Sequence, residues 1–336
     1  MSCNQSVSTP MREPASSRGA VGREKWVDAA RVLAMIMVMQ NHVYIQVGTF
    51  NSQPYISGGA VGVFFVLAGY FSRYKSFRAY THRLLVLGCF YLFWSLYALF
   101  VKTHGHLPDI RSVLERIWQG DCGSMWFLRY MWLGLLIQPV LHRAPVWLRV
   151  GAACTLYGWG CWDSLYANYA HVCMSFPMAL SLFLAGNCAS HVRLPDVVRG
   201  LFLQKAGLPL WFSVALGGGI LLSLYIVAVL DAAYLPEQVA VLIIIWSVLA
   251  VAQGIGEYLP RVNDVLAWGG ASVIFAYGVH MPTFRMYTST WLRILNQFPP
   301  PWMDCLVIFL MLVGCGYVYR RFVGRNRVVD AFIFGR

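Results

Sequence analysis

Three ionisable side chains fall on one face of an otherwise apolar segment near the start of the chain. The segment WVDAARVLAMIMVMQNHVYI, residues 26–45, contains Asp28, Arg31 and His42. In a helix that turns about 100° per residue, the step from Arg31 to His42 leaves these side chains about 20° apart, and Asp28 precedes Arg31 by about one turn. His42 then lies about 16 Å further along the helix axis than Arg31.

These residue types are suited to proton transfer and to anion binding. Imidazole exchanges protons near neutral pH, and the guanidinium group of arginine binds phosphate oxygens in pairs. Because an ionisable group costs about 2.5–3.5 kcal/mol at the centre of a membrane helix on insertion scales, such groups indicate a functional site by default. The alternative is structural: Asp28 and Arg31 form an interfacial ion pair, and His42 bonds to a neighbouring helix.

The composition predicts that these residues belong to a membrane protein. Of the 336 residues, 58% are hydrophobic and 12% are charged, whereas soluble domains have about 25% charged residues. Apolar runs predict an all-α polytopic bundle of about ten transmembrane helices, or eleven if the Gly-rich second run is broken. The predicted spans are residues 29–48, 57–71, 84–101, 125–141, 146–161, 173–190, 208–230, 238–254, 265–284 and 302–319.

The sequence divides into two tails and one transmembrane domain, and its charges predict the orientation in the membrane. Residues 1–24 form a disordered cytoplasmic tail, residues 25–323 the transmembrane domain, and residues 324–336 a basic cytoplasmic tail. With the N-terminus inside, most of the 26 Lys and Arg residues fall in cytoplasmic segments, as the positive-inside rule requires. We therefore expect both termini in the cytoplasm, with Asn51 and Ser164 facing outward and Lys75 and Arg325 facing inward.

The charge and cysteine patterns exclude several other classes of protein. The net charge of +12 lies in short loops beside the membrane, so it does not indicate nucleic-acid binding. The nine cysteines contain no C-x-x-C pair, and no metal site follows from them. Cys161 and Cys173 could form a disulfide if their face is oxidising, and buried free thiols are the alternative.

Several segments together resemble one known family. WVDAARVLAMIMVMQNH is similar to the first helix of the membrane acyltransferase 3 family, in which an Arg, ten intervening residues and a His often follow an Asp-x-x-Arg pair. The family's later helices are matched in order by GVFFVLAGYFSRYKSFRAYTHRLLVLGCFYLFW, MWFLRYMWLGLLIQPVL, SFPMALSLFLAGNCAS and ASVIFAYGVHMP. The resemblance covers residues 25 to about 320. One departure is Val86, where the family often has a second Arg after Arg83.

The resemblance implies an integral-membrane O-acyltransferase, in a bacterial inner or plasma membrane. It would transfer an acyl group, usually acetyl, from acyl-coenzyme A to a carbohydrate hydroxyl. His42 would be the catalytic base or an acyl-carrying nucleophile. Arg31, oriented by Asp28, would bind the donor together with Arg83 and Arg78. Acyl-coenzyme A would be a substrate rather than a resident cofactor, and a separate partner protein could receive the acyl group first.

A second histidine falls at a similar depth. His280 is 15 residues beyond Val265, which places it about 22 Å into its span. If that helix packs against the first, His280, Tyr277 and Trp126 could line an acceptor pocket. The alternatives are an interfacial histidine beside a helix end at Pro282, and a packing role for Trp126.

Two other function classes remain open at this point. In a secondary transporter, Asp28, Arg31 and His42 would form a proton or substrate relay. In a non-catalytic membrane scaffold, a change of His42 would leave every activity intact.

Overall fold

The part of the chain that the structure describes is built from helices. The computed structural model describes residues 24–47, 54–72, 76–103, 105–106, 108–119, 125–166, 174–191, 210–230, 237–270, 272–297 and 299–323. The helices are α1 (Lys25–Val47), α2 (Pro54–Phe71), α3 (Phe77–Lys102), α4 (Ile110–Gln119), α5 (Trp126–Leu136), α6 (Gln138–Arg143), α7 (Val146–Tyr166), α8 (Phe176–Ala189), α9 (Leu210–Leu230), α10 (Glu237–Tyr258), α11 (Pro260–Gly270), α12 (Val273–Leu295) and α13 (Pro301–Val318). These residues include no strand, which agrees with the predicted all-α class.

Each of the ten predicted spans coincides with helix, but two of them are divided. The span at 125–141 is split between α5 and α6, where Pro139 follows the break and cannot donate a helical hydrogen bond. The span at 265–284 is split between α11 and α12, which are bent by 66° after the glycine pair at 269–270. The prediction of one continuous helix at each place was therefore wrong.

The described residues contain fewer candidate membrane spans than the predicted ten. Among the described residues, three helices are long and apolar enough to cross a membrane, or four if the bent α11–α12 pair counts as one span. These three are Phe77–Lys102, Gln238–Tyr258 and Trp302–Phe322. Helix α1 has three charged residues in its first two turns, and α8 has 14 residues. The positions of the apolar helices were thus predicted, whereas ten full crossings are not supported among the described residues.

Some predictions concern residues that the structure does not describe. They are most of the two predicted tails, together with Asn51, Lys75, Cys173 and Arg325. Ser164, predicted in an outer loop, instead belongs to the last turn of α7.

The outer surfaces of several helices are apolar. Phe93 and Leu85 on α3 are 56% and 62% exposed, and Phe309 on α13 is 62% exposed. Rows of exposed large apolar side chains are unfavourable in water and favourable in contact with lipid. With the spans above, they indicate an integral membrane protein.

Helix α1 lies inside the bundle, against α2, α10, α11, α12 and α13. Small residues make this possible, because Ala29, Ala30 and Ala34 are 0% exposed and allow neighbouring helices to approach closely. At Gly270, the end of α11 contacts α1 so closely that a Cβ would overlap Asp28. The face with Asp28, Arg31 and His42 is therefore held at fixed distances from its neighbours.

A second close contact joins α2 to α8. A Cβ on Gly69 would overlap the carbonyl oxygen of Phe183, and one on Gly186 would overlap that of Val66. Both positions thus require glycine for backbone contact. This contact fixes the end of α2, where Ser72 follows.

Candidate active site

The first part of the site is an ion pair near the start of α1. Arg31 Nη1 lies 3.1 Å from Asp28 Oδ1, and the side chains are 34% and 1% exposed, respectively. The guanidinium carbon of Arg31 is 5.8 Å from the centre of the Phe71 ring at the end of α2. Asp28 is thus positioned to orient Arg31.

Arg31 lines a cavity of about 380 Å³ between α1, α2, α3, α5 and the bend of α11–α12. Arg83 is the second cationic residue in the cavity wall. The other lining residues are Phe64, Leu67, Ala68, Phe71, Ser72, Val86, Leu87, Phe127, Met131, Leu135, Gly270, Val273, Ile274 and Tyr277. None of these described lining residues is acidic. The cavity therefore suits a ligand with an anionic group and an uncharged, partly apolar remainder.

The cavity is elongated along α2. Phe71 and Phe64 both line it, and they are separated by two turns, or about 10 Å. Arg31 lies beside Phe71. Tyr277 lies at the Phe127 wall, with ring centres 5.0 Å apart, and Phe127 in turn contacts Phe64. The arginine and tyrosine ends are thus separated along the cavity.

Beyond Tyr277 lies a pair of histidines. The ring centres of His42 and His280 are 5.1 Å apart and the rings are inclined by 45°. The ring of Tyr277 is 5.2 Å from that of His280. His280 is 0% exposed and Tyr277 3% exposed, whereas His42 is partly exposed. Helices α1 and α12 therefore bring the two predicted imidazoles together.

One hydrogen bond of His280 shows which ring nitrogen carries the proton in the neutral ring. Its Nδ1 lies 2.5 Å from the carbonyl oxygen of Tyr277, one turn earlier in α12. Because a carbonyl oxygen accepts but does not donate, the neutral ring carries its proton on Nδ1 and has a lone pair on Nε2. Nε2 is buried without a hydrogen-bond partner among the described residues. His280 can thus accept a proton at Nε2.

The alternative that His280 is an interfacial residue at a helix end does not agree with this arrangement. Helix α12 continues through Pro282 to Leu295, and Phe284 lies 6.1 Å from the His280 ring. His280 is therefore an interior residue rather than an interfacial residue at a helix end.

Two predicted site residues lie apart from this group. Arg78 is exposed in the first turn of α3 and does not line the cavity. Trp126 is 6% exposed and packs edge-on against Tyr130 and Phe127, with ring centres 5.5 and 6.5 Å away. This geometry agrees with the packing alternative for Trp126.

The backbone bend between α11 and α12 is a part of the site that the sequence interpretation missed. Gly270, Val273 and Ile274 all border the cavity. Interrupted helices are tolerated at membrane depth where they border a cavity. The glycine pair at 269–270 was an available signal in the sequence.

Comparison with known proteins identifies the family. The chain matches the acyltransferase domain model of the acyltransferase 3 family over residues 24–320. No curated protein and no solved structure matches it. The match includes every described helix, the cavity and the histidine pair. The chain therefore belongs to the membrane acyltransferase 3 family.

Proposed function

We propose that the protein is a membrane O-acyltransferase that moves an acyl group, in the first instance acetyl, from acyl-coenzyme A to a hydroxyl of a cell-surface or lipid-linked carbohydrate. The observation that supports this most strongly is the cavity with Arg31 at one end and Tyr277, next to the His42–His280 pair, at the other. Acyl-coenzyme A has the same polarity, with anionic phosphates joined through a long neutral arm to a thioester.

The proposed reaction uses the imidazoles as proton acceptors. The acceptor hydroxyl oxygen attacks the thioester carbonyl carbon as a histidine takes the hydroxyl proton. The carbon–sulfur bond then breaks, and the thiolate of coenzyme A receives that proton. His42 is the reacting group of the pair because it is the more exposed ring, and His280 positions it. An acyl-imidazole on His42, resolved by the carbohydrate, is the second route.

The proposed orientation follows from the lysines and arginines in the loops. The arginine end of the cavity faces the cytoplasm, where acyl-coenzyme A is made, and both termini lie on that side. His42 is about 16 Å deeper than Arg31 along α1, so the carbohydrate approaches from the outer side. The acyl group thus crosses about half of the roughly 30 Å hydrocarbon core while it is attached to the donor.

The test is loss of acylation on loss of one imidazole. Mass spectrometry of cell-surface glycans from cells with wild-type protein, without it, and with His42→Ala identifies the acceptor. His106→Ala is the matched control, because His106 is an exposed loop residue. We expect acylation with wild type and His106→Ala, and none in the other two. Equal acylation with His42→Ala in folded, membrane-inserted protein would refute the assignment.

A secondary transporter is the second candidate, and the bent helix favours it. The α11–α12 bend borders the cavity that contains Arg31, and interrupted helices provide binding sites in transporters. Solute uptake by proteoliposomes without incorporation of labelled acetyl into any acceptor would support this function. Labelled acetyl transfer by purified protein would exclude it as the main activity.

A further inference from the structure

A second, more polar cavity lies next to the first. Its volume is about 420 Å³, and it is lined by Ser72, Gln138, His142, Arg149, Asn187, Ser190 and His191. Ser72 lines both cavities. The polar cavity is therefore adjacent to the end where Arg31 lies beside Phe71.

The charge of Arg149 is not neutralised within the described part of the chain. Arg149 is 6% exposed, and its Nη1 donates a 2.6 Å hydrogen bond to Asn187 Oδ1. Its Nε is buried without a hydrogen-bond partner. Asn187 is neutral, and no described residue of the cavity wall is acidic. A buried arginine without a carboxylate is unfavourable unless another anion accompanies it.

Gln138 adds a second unused donor in the same wall. It is 3% exposed, and its Nε2 has no hydrogen-bond partner among the described residues. A buried donor left without an acceptor is costly. One bound anion would satisfy both Arg149 and Gln138. The exposed His142 and His191 also line this cavity.

We propose that this polar cavity binds a phosphate monoester, namely the 3′-phosphate at the nucleotide end of coenzyme A. The inference rests on the proposed function, because it assigns the elongated cavity to the pantetheine arm and the adjoining polar cavity to the far end of the same donor. Arg31 and Arg83 then face the diphosphate in between. A phosphate monoester carries nearly two negative charges at neutral pH and pairs well with a guanidinium fork.

The test compares coenzyme A with dephospho-coenzyme A, which lacks the 3′-phosphate. Calorimetric titration of detergent-purified wild type should show about tenfold or greater preference for coenzyme A. Arg149→Gln should abolish this preference while dephospho-coenzyme A still binds as it does to wild type. Arg143→Gln is the matched control, because it removes one exposed positive charge six residues away and should keep the preference.

Three results would contradict the proposal. If Arg149→Gln keeps the preference, or weakens both ligands equally, Arg149 is a structural residue and the proposal fails. If wild type binds the two ligands equally, the proposal fails while the proposed function stands. If wild type binds neither ligand, the failure lies in the donor assignment of the proposed function, and this inference fails with it.

A second variant keeps the proposal testable if Arg149→Gln does not fold. Gln138→Leu removes an unpaired buried donor, so it should fold with an unchanged or higher Tm and still lower the preference for coenzyme A. A preference as large as that of wild type would count against the site.

Lipid is the other source of phosphate monoesters. If phosphatidic acid in nanodiscs, compared with phosphatidylcholine, raises the Tm of wild type but not of Arg149→Gln, and no coenzyme A preference exists, the site binds lipid and the proposal is overturned.

Discussion

The contact between Asp28 and Arg31 predicts separate effects on stability and on ligand binding. Arg31 pairs with Asp28 at 3.1 Å and also lines the cavity. Arg31→Ala removes both interactions at once. Asp28 is 1% exposed, and Gly270 packs against it so closely that no Cβ would fit. Little space therefore remains for water to solvate the carboxylate.

The expected magnitudes follow from this geometry. Loss of one partner of a buried ion pair costs about 3–5 kcal/mol, and since Arg31 is 34% exposed we expect about 2–3 kcal/mol of lost unfolding free energy. Loss of a hydrogen bond to a phosphate costs about 1.5–3 kcal/mol, which raises the Kd for coenzyme A about 10- to 150-fold. The double variant Asp28→Asn/Arg31→Ala contains no buried charge at this position. It should recover most of the stability but none of the affinity.

Thermal unfolding and calorimetric titration with coenzyme A, applied to the same detergent-purified samples, measure the two effects. Arg31→Lys should restore the affinity partly, because an ammonium group lacks the paired donors of a guanidinium. His42→Ala should bind coenzyme A nearly as tightly as wild type. Donor affinity in the double variant within about twofold of wild type, well below the change expected for a lost phosphate contact, would show that Arg31 serves only as the structural partner of Asp28.

Three further predictions concern the catalytic group, the orientation and the helix packing. His42→Ala and His42→Gln should lower acyl transfer by purified protein about 100-fold or more with little change in Tm, and transfer near the wild-type rate would exclude His42 as the base. In a cysteine-free background, an impermeant maleimide should label intact cells with cysteine at His106 but not at Arg143, and the reverse pattern would invert the proposed orientation. Gly69→Ala should lower the free energy of unfolding by about 1–3 kcal/mol, because the added Cβ overlaps the α8 backbone. Gly158→Ala is the control, since Gly158 lies in open space on α7, and it should not lower the Tm. Equal Tm values for the two variants would contradict the close α2–α8 contact.

The parts of the site that the sequence predicted are those set by helix geometry within one segment. The spacing of Asp28 and Arg31 is one helical turn, so their pairing required only that α1 be helical. The similar depth predicted for His42 and His280 rested on a straight helix from Val265 to His280, and the 66° bend between α11 and α12 removes that premise. Whether those helices are neighbours is a property of packing, and the sequence interpretation left that condition open.

The parts that the sequence did not predict depend on contacts between distant segments. Arg149 was counted as one more positive charge in a cytoplasmic loop, because nothing in its own segment shows that α8 covers it with Asn187. The bend between α11 and α12 was read as a continuous apolar span, because glycine occurs in many uninterrupted membrane helices. Both features became visible only when the neighbouring helices were placed around them.

Tyr277 determines how the cavity and the histidine pair can work together. Its ring lines the cavity, lies 5.2 Å from His280 and is 3% exposed. His42 is absent from the described lining of that cavity. Under the proposed function, we expect the Tyr277 ring to separate a thioester held in the cavity from the histidine pair in the resting enzyme. A barrier of this kind limits hydrolysis of the bound thioester by water before a carbohydrate arrives. Tyr277→Ala should then raise the ratio of acetyl-coenzyme A hydrolysis to acyl transfer in the purified protein, and an unchanged ratio in a folded variant would assign Tyr277 to packing alone.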